Sequence, residues 1–265
     1  MTNSITDQKV DKMLLPKVGR YNFMAEPFHC DFQDCLFIGH LGNTMLNAAD
    51  FHSNDRGYGM HYLQTINKTW VLSRLAIEMT EMPKAYDDFS IETWVEAALK
   101  SFTSRNFAVS SCDGNRTYGY GRSVWAMIDT QTRQPVNLFD IRDGLILDYL
   151  ETGKECPVAK PGRVKMNKDA ELVRSIDTYY NDVDVNGHVN SVKYIEHILD
   201  LFSLEWYRSH FLRRFEIAYV AESYQGDRLN LYREQTDEEQ FCVRITKGIS
   251  SEVEVVRSLV KFINI

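Results

Sequence analysis

Three side chains that can move a proton or polarise a carbonyl group stand at alternate positions in one short segment of the chain. Asp184, Asn186 and His188 offer a carboxylate, a carboxamide and an imidazole, groups that acid–base and nucleophilic catalysis often use. Gly187 permits a tight turn between the last two. Such a set is suited to acyl transfer, in which a base activates water or a carboxylate attacks a carbonyl carbon.

The residues after this segment predict the element that would position it. Apolar residues recur at helical spacing over residues 188–206, which predicts an amphipathic helix beginning at His188. The free N–H groups at a helix start can bind an oxyanion, so this helix would complete an acyl-transfer site. The alternative is a turn in which Asp184 and Asn186 only bond the local backbone and cap the helix.

The order of predicted elements occurs twice. A helix over 36–53 precedes strands over 70–82, 89–97, 102–110 and 118–129, and the helix over 188–206 precedes strands over 215–223, 228–234, 241–247 and 253–265. Two copies of this order predict a duplicated α+β unit, in which an antiparallel sheet wraps around one long apolar helix. Each exposed sheet edge needs a partner, and the other copy supplies it.

The two predicted helices begin alike, with Gly-His-Leu at residues 39–41 and Gly-His-Val at residues 187–189. On this alignment Leu36 and Ile38 stand where the second copy has its carboxylate and its carboxamide. Only the histidine is shared. His40 is therefore predicted to be structural, and the first copy to have lost the chemistry.

Length, composition and charge limit the class of protein. With 265 residues and a hydrophobic fraction of 44%, the chain can fold into two domains of modest size. No apolar run reaches the length of a membrane span and the N-terminal residues lack a secretory signal, so a cytoplasmic location is expected. The net charge of −7 argues against nucleic acid as a partner.

The cysteines and the other histidines lack the pattern of a metal site. The five cysteines are odd in number, and no pair has the C-x-x-C spacing. His29, His52 and His61 have no partner at ligand spacing, and His197 and His210 are expected to pack or to face solvent. We therefore expect reduced thiols, no metal and no cofactor.

A resemblance to a known family is carried by residues 181–199, NDVDVNGHVNSVKYIEHIL, which resemble the D-x-N-x-H-V-N-x-x-K-Y signature of plant and bacterial acyl-acyl carrier protein thioesterases. The first half is similar to the family in WVLSRLAIEM, ETWVEAALKSFTSRNF and SVWAMIDTQTRQPV. The resemblance extends from about Tyr21 to the C-terminus. It implies two tandem hot-dog domains, each an antiparallel sheet wrapped around a long central helix.

The resemblance also implies roles for individual residues. The Asp, Asn and His of the signature are catalytic in the family and match Asp184, Asn186 and His188. A further acid lies on the next strand in a Y-x-x-E-C element, and Glu222 matches it. The cysteine of that element is Ser223 here, so an obligatory cysteine nucleophile is not expected. A minor supporting role of the Ser223 hydroxyl stays open, as does the choice between direct attack by Asp184 and activation of water.

The activity implied by the family is hydrolysis of fatty acyl-acyl carrier protein thioesters, which releases free fatty acid. The partner would be an acyl carrier protein that carries a fatty acyl-phosphopantetheine, without nucleic acid or membrane. The implied domains are a non-catalytic N-terminal hot-dog domain at 1–140 that lines the acyl tunnel, a crossover linker at 141–170 and a catalytic C-terminal hot-dog domain at 171–265. The chain would be a monomer, as an intramolecular pseudo-dimer, or a homodimer.

Three other functions compete with this one. An acyl-CoA thioesterase of the wider hot-dog group would use the same residues on another carrier. A hot-dog 3-hydroxyacyl dehydratase needs a histidine and an acid, but the D-x-N-x-H-V-N string argues against it. A non-enzymatic acyl-binding module would have no reason to keep Asp184 and His188.

The surface that would receive an acidic carrier is predicted from positive charge. The densest cationic stretch is the crossover, with Lys160, Arg163, Lys165 and Lys168, followed by Arg174. This stretch either docks the carrier or is a solvated linker that contacts nothing. Lys193 and the pair Arg213-Arg214 are rival anchors.

Overall fold

One continuous antiparallel sheet forms the body of the protein. The computed structural model describes residues 14–167, 169–248 and 252–265. Ten strands are hydrogen-bonded in the order β1-β3-β4-β5-β2-β7-β10-β9-β8-β6. Their bounds are β1 Gly19–Met24, β2 Lys68–Met79, β3 Asp88–Ala98, β4 Phe102–Ser111, β5 Thr117–Asp129, β6 Glu171–Asp177, β7 His210–Tyr219, β8 Arg228–Asp237, β9 Gln240–Lys247 and β10 Val253–Asn264.

The two copies meet edge to edge. β2 of the first copy pairs with β7 of the second, in a register that runs from Arg74↔Ala218 to Glu78↔Arg214. Each copy thereby covers an edge that would otherwise expose unpaired backbone groups. The predicted pairing of the two sheet edges is confirmed.

Two strands were not predicted from the sequence. β1 and β6 form the outer edges of the sheet, where they pair with β3 and β8. In β6, a seven-residue strand, Leu172 is exposed and four of the other six residues are charged or polar. An edge strand with one solvated face carries little of the hydrophobic alternation from which strands are recognised.

The described residues include four α-helices, which pack against the sheet or connect its strands. Their bounds are α1 Ile38–Asp55, α2 Met60–Gln64, α3 Ser191–Leu199 and α4 Leu204–Ser209. α1 buries Leu41, Met45 and Ala48 at helical spacing, and α3 buries Ile195 and Ile198. These side chains join one core that extends through both copies. None of the helices described is long and apolar enough to cross a bilayer.

The predicted continuous helix over 188–206 is wrong in two respects. It begins at Ser191, because the Asn190 side chain accepts a hydrogen bond from Val192 N–H at 3.0 Å and caps the helix there. It also breaks after Leu199, and Ser203 caps a separate helix by accepting from Trp206 N–H at 3.1 Å.

The break turns Phe202 into an aromatic cluster. Its ring lies 4.9 Å from the rings of both Phe241 and Phe262. A continuous helical stripe and an interrupted one have the same apolar spacing, so only tertiary packing distinguishes them.

The helices α1 and α3 approach each other through small residues. A Cβ atom on Gly42 would lie 3.4 Å from Ile195 Cδ1, and one on Gly39 would lie 3.1 Å from Glu196 Cγ. Gly39 therefore lies in helix α1 and serves helix packing. It does not correspond to the turn residue Gly187, which has a φ of +80°.

The crossover between the copies is held against the sheet by arginines of β5 and β7. Arg122 donates to the carbonyl of Val158 at 2.6 Å, and Arg214 donates to that of Ala159 at 2.9 Å. Val158 and Val164 are buried. The crossover is thus part of the packed structure, and its description as a solvated linker that contacts nothing is wrong. These contacts could not be predicted from the residue types of the crossover, because the arginines that bind it lie on strands distant in sequence.

Candidate functional site

Residues 183–189, here called the second loop, form a closed turn ahead of α3. An antiparallel bridge joins its first and last residues. Asp184 N–H donates to the carbonyl of His188 at 2.9 Å, and Gly187 N–H donates to the carbonyl of Asp184 at 3.0 Å. Gly187 adopts a left-handed conformation that other residues rarely tolerate, although the space for a side chain is open. The backbone conformation therefore favours glycine at this position.

The Asp184 carboxylate holds this loop together. Its Oδ1 atom accepts from the backbone N–H of Asn186 at 2.8 Å and, more distantly, from that of His188 at 3.4 Å. Its Oδ2 atom lies 3.4 Å from the Asn186 side-chain amide. Asp184 is half-buried and Asn186 is exposed. One carboxylate oxygen is thus engaged by the backbone, whereas the other has a single weak contact.

The His188 imidazole contacts a different acid. His188 Nε2 lies 3.4 Å from Glu222 Oε2, and about a quarter of the His188 side chain is exposed. The Tyr224 ring meets the imidazole edge-on, with centroids 5.1 Å apart, and its hydroxyl donates to Glu222 Oε2 at 3.3 Å. The four residues singled out in the sequence therefore form two pairs, Asp184 with Asn186 and His188 with Glu222.

Arg133 belongs to this site although sequence reasoning missed it. It lies in the turn after β5, in the first copy, and its guanidinium donates to Glu222 Oε1. Lys247 Nζ donates to the Glu222 backbone carbonyl at 2.6 Å. Glu222 is thus held by cations from both copies. The segment that carries Arg133 was part of the family resemblance, but no spacing within it indicates a partner so far along the chain.

Ser223 supports the loop through its backbone. It is fully buried, and its carbonyl accepts from Val189 N–H at 2.8 Å. Its side chain does not line the cavity described next. The nearby Tyr194 phenol is also buried, and this burial raises its pKa to about 12. The supporting role left open for the Ser223 hydroxyl stays a prediction.

A cavity of about 1220 Å³ lies beside the second loop and is lined by both copies. All four candidate residues border it, as do the helical residues Ser191 and Tyr194. The first copy contributes Arg133 and much of the remaining wall, from α1, α2, β2, β4 and β5. The cavity is somewhat larger than the roughly 300–1,000 Å³ that is usual for small-molecule sites, and it extends from His188 into the first copy.

The first copy contains the same loop, but not where the sequence alignment placed it. Residues 30–36, here called the first loop, are closed by the same kind of bridge as residues 183–189. Asp31 Oδ1 accepts from the backbone N–H of Gln33 at 2.9 Å and from that of Cys35 at 3.0 Å. The backbone bonds of the two loops match one by one.

The matching hydrogen bonds of the two loops correct the alignment of the two copies. The structural counterparts of Asp184, Asn186 and His188 are Asp31, Gln33 and Cys35. Val189 N–H and Leu36 N–H donate to the carbonyls of Ser223 and Pro83, which makes Met82 the counterpart of Glu222. The earlier match of the Asp184 and Asn186 positions to Leu36 and Ile38 is wrong, because it aligned a histidine inside α1 with one in the second loop.

Five of the other histidines have ring or burial contacts away from the second loop, whereas His61 is exposed. His40 stacks on His29 with centroids 4.0 Å apart, and burial lowers the His40 pKa. His52 is fully buried and has its pKa lowered to about 2 by burial. Burial also lowers the pKa of His197, and His210 stacks on Trp206. Within the described part of the chain, no group of three or more His, Cys, Asp or Glu side chains is arranged to hold a metal ion.

The candidate docking cations differ in their partners. Lys193 pairs with Glu196 at 2.7 Å, and Arg213 and Arg214 both pair with Glu78. In the crossover, Lys160, Arg163 and Lys165 are exposed, and Lys160 Nζ lies 3.9 Å from Glu96. Arg174 lies 4.0 Å from Asp200, and Lys168 falls outside the described residues. The crossover cations are therefore the more accessible set.

Family models match both halves of the chain. Residues 17–145 match the family described as the acyl-ACP thioesterase N-terminal domain, and residues 165–262 match the acyl-ACP thioesterase C-terminal domain. The crystal structure of an acyl-ACP thioesterase from Bacteroides thetaiotaomicron is 50% identical, with a TM-score of 0.86 over 93% of this chain and 98% of that one.

A more distant structure shares the fold. The 12:0-ACP thioesterase from Umbellularia californica is 20% identical, with a TM-score of 0.82 over 95% of this chain and 99% of that one. Together these structures confirm the predicted double hot-dog fold.

Curated plant relatives match part of the chain. The palmitoyl-acyl carrier protein thioesterase of Arabidopsis thaliana is 32% identical over 139 residues, which are 51% of this chain and 33% of that protein. The acyl-[acyl-carrier-protein] hydrolase FATB3 of Cuphea viscosissima is 29% identical over 158 residues, which are 58% of this chain and 38% of that protein. The matched regions therefore span little more than a third of these relatives. Since the two family models together cover most of its length, the chain belongs to the acyl-ACP thioesterase family.

Proposed function

We propose that the protein hydrolyses the thioester of fatty acyl-acyl carrier protein and releases a free fatty acid. Beyond membership of the family, one structural observation supports this proposal. His188 and Glu222 form an imidazole–carboxylate pair on the wall of a cavity long enough for an acyl chain. The acyl chain would extend into the first copy, and the thioester carbonyl would lie at the second loop.

In the proposed reaction, water adds to the thioester carbonyl, the carbon–sulfur bond breaks and the carrier leaves as a thiol. His188 takes the proton of the attacking water and returns a proton to the departing sulfur. Glu222 stabilises the imidazolium that forms between these steps, and Arg133 and Tyr224 hold the Glu222 carboxylate in place. Asn186 orients the Asp184 carboxylate or the substrate.

Asp184 has one oxygen suited to the reaction. Its Oδ1 atom holds the loop, so Oδ2 is the atom that would attack the carbonyl carbon or orient the water. The two routes differ because direct attack passes through an acyl anhydride on Asp184. Peptide mass spectrometry of enzyme quenched during turnover would detect that adduct, and its absence under burst conditions would favour activation of water.

The proposal also includes the organisation of the chain. The division into an acyl-lining domain at 1–140, a crossover at 141–170 and a catalytic domain at 171–265 stays a prediction. So do the cytoplasmic location, the acyl carrier protein as partner, and the monomeric or homodimeric state. The first copy contributes most of the cavity wall, which supports its assignment to the acyl chain.

The test is a comparison of carriers. We expect the purified enzyme to release free acid from acyl-acyl carrier protein with a higher kcat/KM than from acyl-CoA with the same acyl group. The His188→Ala variant is the control for contaminating hydrolases. Equal or better hydrolysis of acyl-CoA would instead favour the acyl-CoA thioesterase alternative. Failure to cleave either thioester would contradict the proposed function.

A further inference from the structure

A cavity of about 730 Å³ beside the first loop, here called the first-loop cavity, is the structural counterpart of the cavity beside the second loop. The matching bonds of the two loops also align the elements that follow them, so that α1 and α3 begin at equivalent positions. Counting back along the sheet from Met82 and Glu222 makes Glu216 the counterpart of Ala76, and these two residues pair directly. The two copies are therefore related by an approximate two-fold axis through this pair.

The walls of the two cavities come from equivalent elements. Each combines a loop of one copy with a helix and a central strand of the other. Leu46 of α1 and Leu199 of α3 are counterparts, and each borders the cavity at the loop of the opposite copy. Leu72 of β2 and Leu212 of β7 are related in the same way. The fold that forms the proposed acyl cavity thus forms a second cavity on the other side of the axis.

The first-loop cavity is smaller and more aromatic than its counterpart. Phe202 stands where Ala49 borders the larger cavity, and Phe211 stands where Val71 does. The volume of about 730 Å³ still lies within the roughly 300–1,000 Å³ that is usual for small-molecule sites. Phe37 also borders the space and is 47% exposed. An apolar chain bound here would therefore remove aromatic surface from water, which favours binding.

A cation lies beside the first-loop cavity. Lys84 is exposed, and its ammonium group donates to the carbonyl of Gln33 at 2.9 Å and to Cys35 Sγ at 3.2 Å. Both of these partners belong to residues that border the cavity. An ammonium group has three donors, so one remains for solvent or for a ligand. The contact with Cys35, and to a smaller extent the carboxylates of Asp34 and Asp31, raise the pKa of Lys84, so the group is charged.

An aromatic wall with one cation beside it matches the chemistry of a long-chain carboxylic acid. The hydrocarbon tail would pack against Phe202 and Phe211, and the carboxylate would accept from Lys84. We propose that the first-loop cavity is a second binding site of this chain, which holds a free fatty acid and does not turn over a thioester. Cys35 and Met82 stand there in place of the imidazole–carboxylate pair. The ligand has the chemistry of the acid released by the proposed hydrolysis, but its binding does not depend on that reaction.

The test is photolabelling of the wild-type enzyme with a fatty acid that carries a diazirine in its tail. Light releases nitrogen from the diazirine, the resulting carbene inserts into a neighbouring bond, and peptide mass spectrometry locates the adduct. We expect labels on residues of α3, α4 or the start of β7 that border the first-loop cavity. The unmodified acid should suppress these labels, whereas the alcohol of the same chain length should compete severalfold less well, because it cannot form the ion pair with the ammonium group.

Two pairs of matched variants assign the label to the site. Leu199→Trp fills the first-loop cavity and should abolish its label, whereas Leu46→Trp fills the other cavity and should leave that label in place. Lys84→Gln should weaken binding of the acid severalfold. Lys193→Gln should not, because Lys193 is already paired with Glu196. Since Lys84 is exposed, its variant keeps the proposal testable if Leu199→Trp does not fold.

The outcomes separate this inference from the proposed function. Labels confined to the cavity of the second loop would overturn the inference and leave the proposed hydrolysis intact. A first-loop label that persists in a folded Leu199→Trp variant, or equal competition by the acid and the alcohol, would also overturn it. Hydrolysis of acyl-acyl carrier protein is measured on the same samples, and its absence would contradict the thioesterase function but not the fatty acid site.

Discussion

The first loop and the second loop have the same backbone and different side chains. In both, an aspartate carboxylate accepts from the amides two and four residues later, and a residue with positive φ, Asp34 or Gly187, completes the turn. The first copy has Cys35 and Met82 where the second has His188 and Glu222. The shared aspartate therefore builds the turn, and the imidazole–carboxylate pair distinguishes the copy that we expect to be reactive.

The two loops also differ in the side chains that surround them. Lys84 Nζ lies 3.2 Å from Cys35 Sγ, whereas Arg133 and Tyr224 both contact the Glu222 carboxylate. A cavity of about 730 Å³ also borders the first loop. A cavity and a turn thus occur at both positions, but Cys35 and Met82 stand at the first where the second has the His188–Glu222 pair. Substitutions in the first loop can therefore serve as controls for the equivalent substitutions in the second loop.

The sharpest test of this comparison replaces the two equivalent residues. His188→Ala should lower kcat about 10²–10⁴-fold, the usual contribution of acid–base catalysis. Cys35→Ala should stay close to wild type, because the first loop has no imidazole and Met82 stands where the second copy has Glu222. Both variants are assayed on acyl-acyl carrier protein after their melting temperatures are compared. Equal losses of kcat in two equally stable variants would mean that both loops take part.

A second pair of variants separates the structural from the chemical role of the aspartates. Asp184→Asn and Asp31→Asn both keep an oxygen that can accept from the loop amides, so both should fold. We expect kcat to fall about 10²–10³-fold in Asp184→Asn alone, since an amide is neither a base nor a nucleophile. Near-wild-type turnover of a pure Asp184→Asn sample would restrict Asp184 to the turn that Asp31 also forms.

Glu222, the acid that follows β7, can be tested against its neighbour. Glu222→Ala should lower kcat by about 10²-fold, because it removes the partner of the His188 imidazole. Ser223→Ala should retain substantial activity, since the serine supports the loop through its backbone carbonyl. The assignment fails if Ser223→Ala is the inactive variant, or if an acyl-Ser223 adduct is trapped.

A smaller effect is expected at the contact between the two copies. Arg133→Gln should lower kcat by about tenfold through loss of one charge-assisted hydrogen bond to Glu222. Arg116→Gln is the matched control, because Arg116 pairs with Glu81 next to Met82, the counterpart of Glu222. Turnover should fall in Arg133→Gln only, after the melting temperatures of both variants are compared. Equal kcat in the two variants would remove Arg133 from the site.

The smallest effect concerns how the carrier reaches the second loop. Reversing the charge of Lys160, Arg163 and Lys165 together should raise KM for acyl-acyl carrier protein several-fold, since acidic carriers are attracted by exposed cations. The effect should fall at high salt, which screens exposed charges. Cleavage of a small uncharged thioester should change little. Wild-type kinetics of the triple variant at low ionic strength would exclude the crossover as the docking surface.

Most of the fold could be predicted from local pattern. The helix–meander order appeared twice, and the apolar stripe of α1 and the main strands lie close to their predicted positions. The weakly patterned edge strands β1 and β6 could not be found, because a short solvated edge needs few apolar residues. Nor could the break in the second helix, which depends on where Phe202 packs.

For the candidate site, the sequence by itself determined which residue types are available and that residues 184–188 form a tight turn. Only the tertiary structure decided which side chains meet. It paired His188 with Glu222, which follows β7, and brought Arg133 from the other copy to the same carboxylate. It also showed that Asp31 is the counterpart of Asp184, whereas the sequence alignment of the two copies had matched Asp184 with Leu36. Side-chain partners depend on strand register and on the packing of distant segments, and a local sequence pattern contains neither.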